Sequence, residues 1–303
     1  MAAVDDLLQR LRAIDRAIDA LSEPAFNEQE IQDHLIRGIA VNGLVCVESF
    51  LRTRMREWVS ALAGARVPPS RLPGGTKQYE DRLIEVLPRS LRDQDVVQRS
   101  ALLDEVGKSL TSLSTGIFVP HALAFSWSGY NVQSSDIESI ASLVGVERNK
   151  VWSDLTRIWQ LVDQQFPGNS SLKRVFEEVA ELRHIAAHSA NPNIPIPNLT
   201  TISRNVKIVC LCVDILASFK LRNIMYVQSS GGVRSQALSI KIRRIVRDGG
   251  KWPEYAPGVK RAAKRHNSLE EAMQLAAGRA RLTGELVLAT NSGDVVDWSC
   301  PIP

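Results

Sequence analysis

In the stretch EIQDHLIRGIAVNGLVCVESFLRTRMREWVSALA, residues 30–63, the side chains Ile36, Ala40, Leu44, Val47, Leu51, Met55 and Trp58 recur at steps of three or four. That spacing draws one apolar stripe along a helix, which is either a single long helix or two abutting ones. The same rhythm runs from residue 4 to about residue 227, beginning with Leu7, Leu8, Leu11, Ile14, Ile18 and Leu21. The chain is therefore expected to be mainly α, a helical bundle over residues 1–228. RVPPSRLPGG closes the long helix, because proline removes a donor and glycine permits a turn. Shorter helices are expected near residues 77–88 and 98–114, and FVPHALAFSWSGYNV fits no single pattern. Ser135 and Glu138 in SDIES form a capping box for the next helix. VWSDLTRIWQLVDQQF and SLKRVFEEVAELRHIAAHSA continue the helical pattern until NPNIPIP at 191–197 stops it. A last helix near 201–227 holds VKIVCLCVDILASF, which is too short to span a membrane and contains Asp214, so a buried helix is expected and a membrane segment is not.

After QSSGG at 228–232, which has the composition of a hinge, the period changes. Leu238, Ile240 and Ile242 alternate with Ser239, Lys241 and Arg243, which predicts a half-buried strand with a basic open face. Ser268 and Glu271 make a second capping box before a helix, and ELVLATNSGDVVDWS predicts a hairpin about NSGD. A small basic α+β domain, ββαββ, is thus expected over residues 233–303.

Charge is unevenly spread. The chain carries +4 overall, but the segment from Arg234 to His266 alone carries +8, leaving −4 for the remainder. A basic segment on a mildly acidic body suits a polyanion partner. Lys241, Arg243, Lys251, Lys260, Arg261, Lys264 and Arg265 could hold phosphates while Trp252 and Tyr255 stack on bases. The alternative is a basic surface strand with Trp252 packed beneath the helix. The N-terminal sequence MAAVDDLLQRLRAIDRA has acids in its first turns and none of the layout of an export signal. Cys46, Cys210, Cys212 and Cys300 show no C-x-x-C spacing, and Cys210 and Cys212 stand about 200° apart round a helix. They are read as reduced thiols, with cytoplasmic localisation.

The chemistry concentrates in EEVAELRHIAAHSANPN, residues 177–193, on a helix expected over about 171–190. At about 100° per residue, Val175, Val179, Leu182 and Ala186 line one side, and Glu177, Glu181, His184 and His188 line another. Arg183 lies beside the polar stripe, and Ala186, Ala187, Ser189 and Ala190 leave room around His188. An imidazole can take a proton from a ribose 2′-hydroxyl or give one to a leaving 5′-oxygen. An arginine can grip phosphate oxygens and stabilise the charge that builds on phosphorus.

Arg183 and His188 form R-x-x-x-x-H in RHIAAH, late in a helical domain and followed by a small residue and a loop. In this the chain resembles the HEPN ribonucleases over about residues 130–200, with looser similarity in GIAVNGLVCVESFLR. The resemblance implies a helical bundle that forms a homodimer, bringing two motifs into one composite cleft that cleaves RNA to 2′,3′-cyclic phosphate ends with no cofactor and no metal. It makes Arg183 and His188 the catalytic pair, puts His184 at the polar position after the arginine, and places Glu48 where several members carry a further polar residue. The position after the histidine, often glycine in that family, is Ser189. The resemblance also implies a toxin or antiviral defence effector, with an inhibitor or antitoxin partner. The C-terminal segment is similar to small bacterial domains of uncharacterised function with a Trp-bearing strand, a basic turn, a helix and a final hairpin.

Two other readings stand beside this one. A non-catalytic nucleic-acid-binding or assembly protein would use the helical body to dimerise and the basic module to hold the polyanion. A metal site could use Glu181-x-x-His184, or His184 with His188, but only one E-x-x-H is present where a di-metal bundle needs two, and there is no H-E-x-x-H. RLPGGTK and QSSGGVR match neither phosphate-loop spacing, and no nucleophile elbow is found. His121 is expected to be structural, and His34 and His266 to lie on the surface.

Overall fold

The computed structural model describes residues 2–21, 23, 28–92, 94–189, 193–226 and 239–300. It is 67% helix, with a five-stranded mixed sheet near the C-terminus. The proposed hinge at 228–232 lies outside the described residues, as does Leu238.

The two longest helices meet at the centre. The first is one unbroken helix, α2 (Gln29–Gly64), which is long and apolar enough to cross a membrane by composition, with half of that window buried within the protein. The second is α9 (Ile202–Tyr226), in which every residue from Ile208 to Ser218 is buried. Gly43 lets them approach: a Cβ there would lie 2.4 Å from Ile202 Cδ1. α1 (Ala2–Ala20), α6 (Val151–Val162) and α7 (Leu172–His188) pack around this pair through the apolar faces that their spacing defines. α3 (Gly75–Arg92), which continues past Pro88, and α4 (Val96–Thr115) lie further out. α4 starts on a capping box in which Asp95 and Gln98 bond reciprocally. The ambiguous stretch after α4 is a 3₁₀ turn, Ala122–Phe125, capped by His121, whose Nδ1 accepts from the Leu123 N–H. α5 (Ser134–Leu143) starts one residue before the expected Ser135 cap, with the Gln133 N–H bonded to Asp136 instead. α8 (Ile196–Thr200) is a single turn leading into α9.

The C-terminal module has one strand more than expected. β1 (Ile242–Val246), β2 (Trp252–Tyr255) and β3 (Lys264–His266) precede α10 (Leu269–Thr283), and β4 (Leu286–Asn291) and β5 (Asp294–Ser299) follow it. The order is β3-β2-β1-β4-β5, with β1 and β4 parallel and the other pairs antiparallel. The hairpin about NSGD is present, with φ of 52° at Ser292 and 89° at Gly293, the left-handed pair that a two-residue turn requires. The predicted cap is also present, the Ser268 hydroxyl accepting from the Glu271 N–H.

This sheet is a middle layer. Val287 and Ala289 of β4 pack with Ala272, Met273, Ala276 and Ala280 of α10, while Leu286 and Leu288 join the core of the helical body. β1 divides in the same way: Ile242, with Ile240 just before the strand, leans on the body, and Ile245 faces the α10 cluster. The expected open basic face of β1 is therefore incorrect. α10 covers that face, so Arg243 is 9% exposed and has to be paired.

The layers are joined by a buried charge. On α2, Arg54 Nε donates to Asp214 Oδ1 of α9 at 2.7 Å, and both side chains are almost wholly enclosed. The guanidinium also bonds Glu57, the Ser218 hydroxyl and the Cys300 carbonyl beyond β5. The second oxygen of Asp214 accepts from Trp298 Nε1 of β5 at 3.0 Å. Burial alone would push Arg54 down, but the surrounding groups, led by the Asp214 carboxylate and including Glu57, together outweigh it and hold the guanidinium charged. Asp214→Ala should cost about 3–5 kcal/mol, since it strands a buried cation, and urea melts would measure this.

Burial also pushes the Asp297 carboxyl on β5 up to about 6, against a bond from the Trp298 N–H and with the Asp5 carboxylate adding to the rise. The folded protein thus holds a proton that the unfolded chain has released, and stability falls as pH rises from about 4 to about 6. Asp297→Asn, which keeps the acceptor for Trp298, should add up to about 3 kcal/mol above that window and little below it. Melts at the two pH extremes would check the sign.

Candidate functional site

α7 is built as two faces. Leu172, Val175, Phe176, Val179 and Ala186 are buried against α2 and α9, and Glu177, Glu181, His184 and His188 are all exposed. Arg183 is half-buried between them. The helix ends at His188, because Ser189 turns to extended geometry while its N–H still reaches the Ile185 carbonyl. Arg37 of α2 holds that end, Nη1 donating to the Ser189 carbonyl at 3.1 Å.

Arg183 Nη1 lies 3.4 Å from His188 Nε2. A guanidinium can only donate, so the contact is a hydrogen bond when Nε2 carries the lone pair, the form in which an imidazole accepts a proton. The His184 and His188 rings sit 4.8 Å apart, centroid to centroid, and tilted by 49°. Arg183 and His184 line a cleft of about 370 Å³ whose other α7 residues include Glu177 and Glu181. Its other wall comes from Asn131 and Gln133 before α5 and from Ser134 at the start of α5, and Leu44 of α2 also lines it. His188 is one turn beyond His184 on the same exposed stripe and is tied to the cleft through Arg183, which lines it. The cleft is bipolar, with cationic and imidazole groups toward the C-terminal end of α7 and two carboxylates toward its middle.

Glu48 is placed differently from a group that meets substrate. It is 8% exposed, and its Oε1 accepts the Val132 N–H at 2.9 Å. With Asp136 accepting from the Gln133 N–H at 2.9 Å, it fixes the segment that presents Asn131 and Gln133 to the cleft. Glu48 is therefore a positioning residue in this fold.

The expected RNA-binding residues separate into two groups. Lys241, Lys251, Lys260, Arg261, Lys264 and Arg265 are exposed, the last two on the edge strand β3. Arg243 is not available, since it is bound to Glu254 and Glu285 at 2.7–2.8 Å. Trp252 is half-buried against the α10 cluster, with the Arg247 guanidinium 6.0 Å from its ring. This packing agrees with the alternative in which Trp252 lies against the helix. His266 is likewise not a surface residue: it is 1% exposed, with Nε2 3.0 Å from Glu254 and Nδ1 3.5 Å from Glu271. Burial would push Glu254 up, but bonds from Arg279, His266 and Arg243 outweigh it and hold the carboxyl below its ordinary value. His34 is exposed, and His121 caps its turn with Nε2 beside Glu105.

Arg37, Asn131, Gln133 and Ser134 were not singled out by sequence reasoning, and no spacing links them to α7. Glu254 shows nothing in the sequence beyond its charge. Among the described residues, no three His, Cys, Asp or Glu side chains are grouped so as to hold a metal ion.

Glu48→Ala should leave the buried Val132 N–H without its partner at a cost of about 1–3 kcal/mol. Hydrogen exchange should show the Val132 amide losing protection while amides of α9 keep theirs under native conditions.

Compared with protein-family models, curated proteins and solved structures, the chain matches none.

Proposed function

We propose that this protein is a metal-independent endoribonuclease of HEPN-like fold, with Arg183 and His188 as its catalytic pair. The observation that carries the reading is the 3.4 Å approach of His188 Nε2 to Nη1 of Arg183, a residue that lines a cleft together with His184. In this mechanism His188 Nε2 takes the proton of a ribose 2′-hydroxyl, and the 2′-oxygen attacks the adjacent phosphorus. The bond to the 5′-oxygen breaks, that oxygen leaves with a proton, and a 2′,3′-cyclic phosphate remains. Arg183 turns from the imidazole to the phosphate oxygens and stabilises their growing charge. His184, with its ring beside that of His188, orients it. A homodimer that joins two such clefts would supply one imidazole as base and the other as acid. The biological role that accompanies this reading is a cytoplasmic toxin or antiviral defence effector, held in check by an inhibitor or antitoxin partner.

The exposed cations Lys260, Arg261, Lys264 and Arg265 favour a second reading, a nucleic-acid-binding protein without catalysis. The two are separated by incubating the purified protein with total RNA in EDTA and mapping the ends formed. Cyclic phosphate ends are expected, with His188→Ala slower by about 10² to 10⁴ and circular dichroism unchanged. Identical RNA patterns from wild type and His188→Ala would remove the ribonuclease reading. Replacing the four cations by glutamine should weaken RNA binding and flatten its salt dependence by about 0.7 in log–log slope for each phosphate that is no longer neutralised. Arg243→Gln should instead destabilise the module, because it removes the buried cation that Glu254 and Glu285 share.

A further inference from the structure

The cleft has a charged end that the cleavage chemistry does not use. Glu177 and Glu181 line it together with Arg183 and His184, and two carboxylates repel a phosphate. An RNA chain with its scissile phosphate at Arg183 and His188 must therefore turn something other than its backbone toward the middle of α7. Glu181 stands seven residues before His188, about 10 Å along the helix axis, so a base next to the scissile phosphate has room to turn toward it. Glu177 faces Lys173 at 3.9 Å, whereas Glu181 makes no hydrogen bond or ion pair among the described residues.

A carboxylate only accepts hydrogen bonds, and its two oxygens suit two parallel donors. Of the four RNA bases, guanine alone offers two adjacent donors, N1–H and N2–H, on its pairing edge. Adenine and cytosine place a ring acceptor beside their amino group, and uracil sets its N3–H between two carbonyls. Guanine O6, next to N1, needs a donor in turn. The Asn131 and Gln133 amides on the other wall can supply it, and Glu48 and Asp136 hold the backbone that carries them.

We infer that the cleft is a guanine-reading subsite, in which Glu181 accepts from N1–H and N2–H and the Asn131 or Gln133 amide donates to O6. The inference rests on the ribonuclease reading for its orientation of the strand, but it is tested by binding alone. A site built to bond N–H groups rejects bases that lack them, because its own acceptor is left desolvated and unpaired.

The test uses non-cleavable 2′-O-methyl trinucleotides with uracil on both sides of a central guanine, inosine, adenine, cytosine or uracil, measured by calorimetry. The guanine trinucleotide should bind roughly tenfold or more tighter than the adenine, cytosine and uracil ones. Inosine, which lacks the N2 amino group, should lose most of that preference. Glu181→Gln, on an exposed position, should erase it with an unchanged melting temperature, and His188→Ala should retain it. Equal affinity for all five, or no binding of any, overturns the subsite, and a preference that survives in Glu181→Gln overturns the role of Glu181. Guanine selectivity in a protein that leaves the matching ribo-oligonucleotide uncut would instead sink the nuclease and keep the subsite.

Discussion

The Arg54–Asp214 pair connects everything else. Neither group reaches solvent, so each must find all its partners inside the protein. Arg54 finds them on α2, on α9 and at the Cys300 carbonyl after β5, and Asp214 adds the indole N–H of Trp298. A hydrophobic interface of the same area would tolerate sliding between layers, whereas this set of directed bonds fixes the sheet against the helices. Trp298 also packs near Phe50, with ring centroids 6.2 Å apart, so apolar burial and the polar network agree on one docking geometry.

The same helix carries the constraint to the cleft. Down α2 lie Arg37 at the end of α7, Leu44 lining the cleft, Glu48 holding its other wall and Arg54 at the centre. These span about 25 Å at 1.5 Å per residue, so one rigid rod spaces the site from the core. The exposed stripe of α7 owes its orientation to the opposite face, where Val175, Phe176, Val179 and Ala186 are buried.

Electrostatics follow from which charges are covered. The basic segment is less available than its +8 suggests, because Arg243 is consumed by Glu254 and Glu285. What remains exposed is concentrated at Lys260, Arg261, Lys264 and Arg265, beside an edge strand whose third residue, His266, is turned inward onto Glu254.

Periodicity determined the helices, the apolar and ionisable stripes of α7 and the NSGD hairpin, because each depends on neighbours within one turn or one hairpin. Composition determined that α9 would be buried in spite of Asp214. Tertiary structure alone decided what Asp214 binds, since Arg54 is 160 positions away and Trp298 is 84 positions away in the chain. It decided that Arg243 and His266 would be buried, because the alternation of β1 shows two faces and cannot show that α10 covers one while the helical body covers the other. It also turned Glu48 toward a backbone amide and brought Asn131 and Gln133 into the cleft that Glu181 lines. Such choices belong to long-range packing, where a side chain's role is set by the groups that enclose it and leave no trace in local spacing.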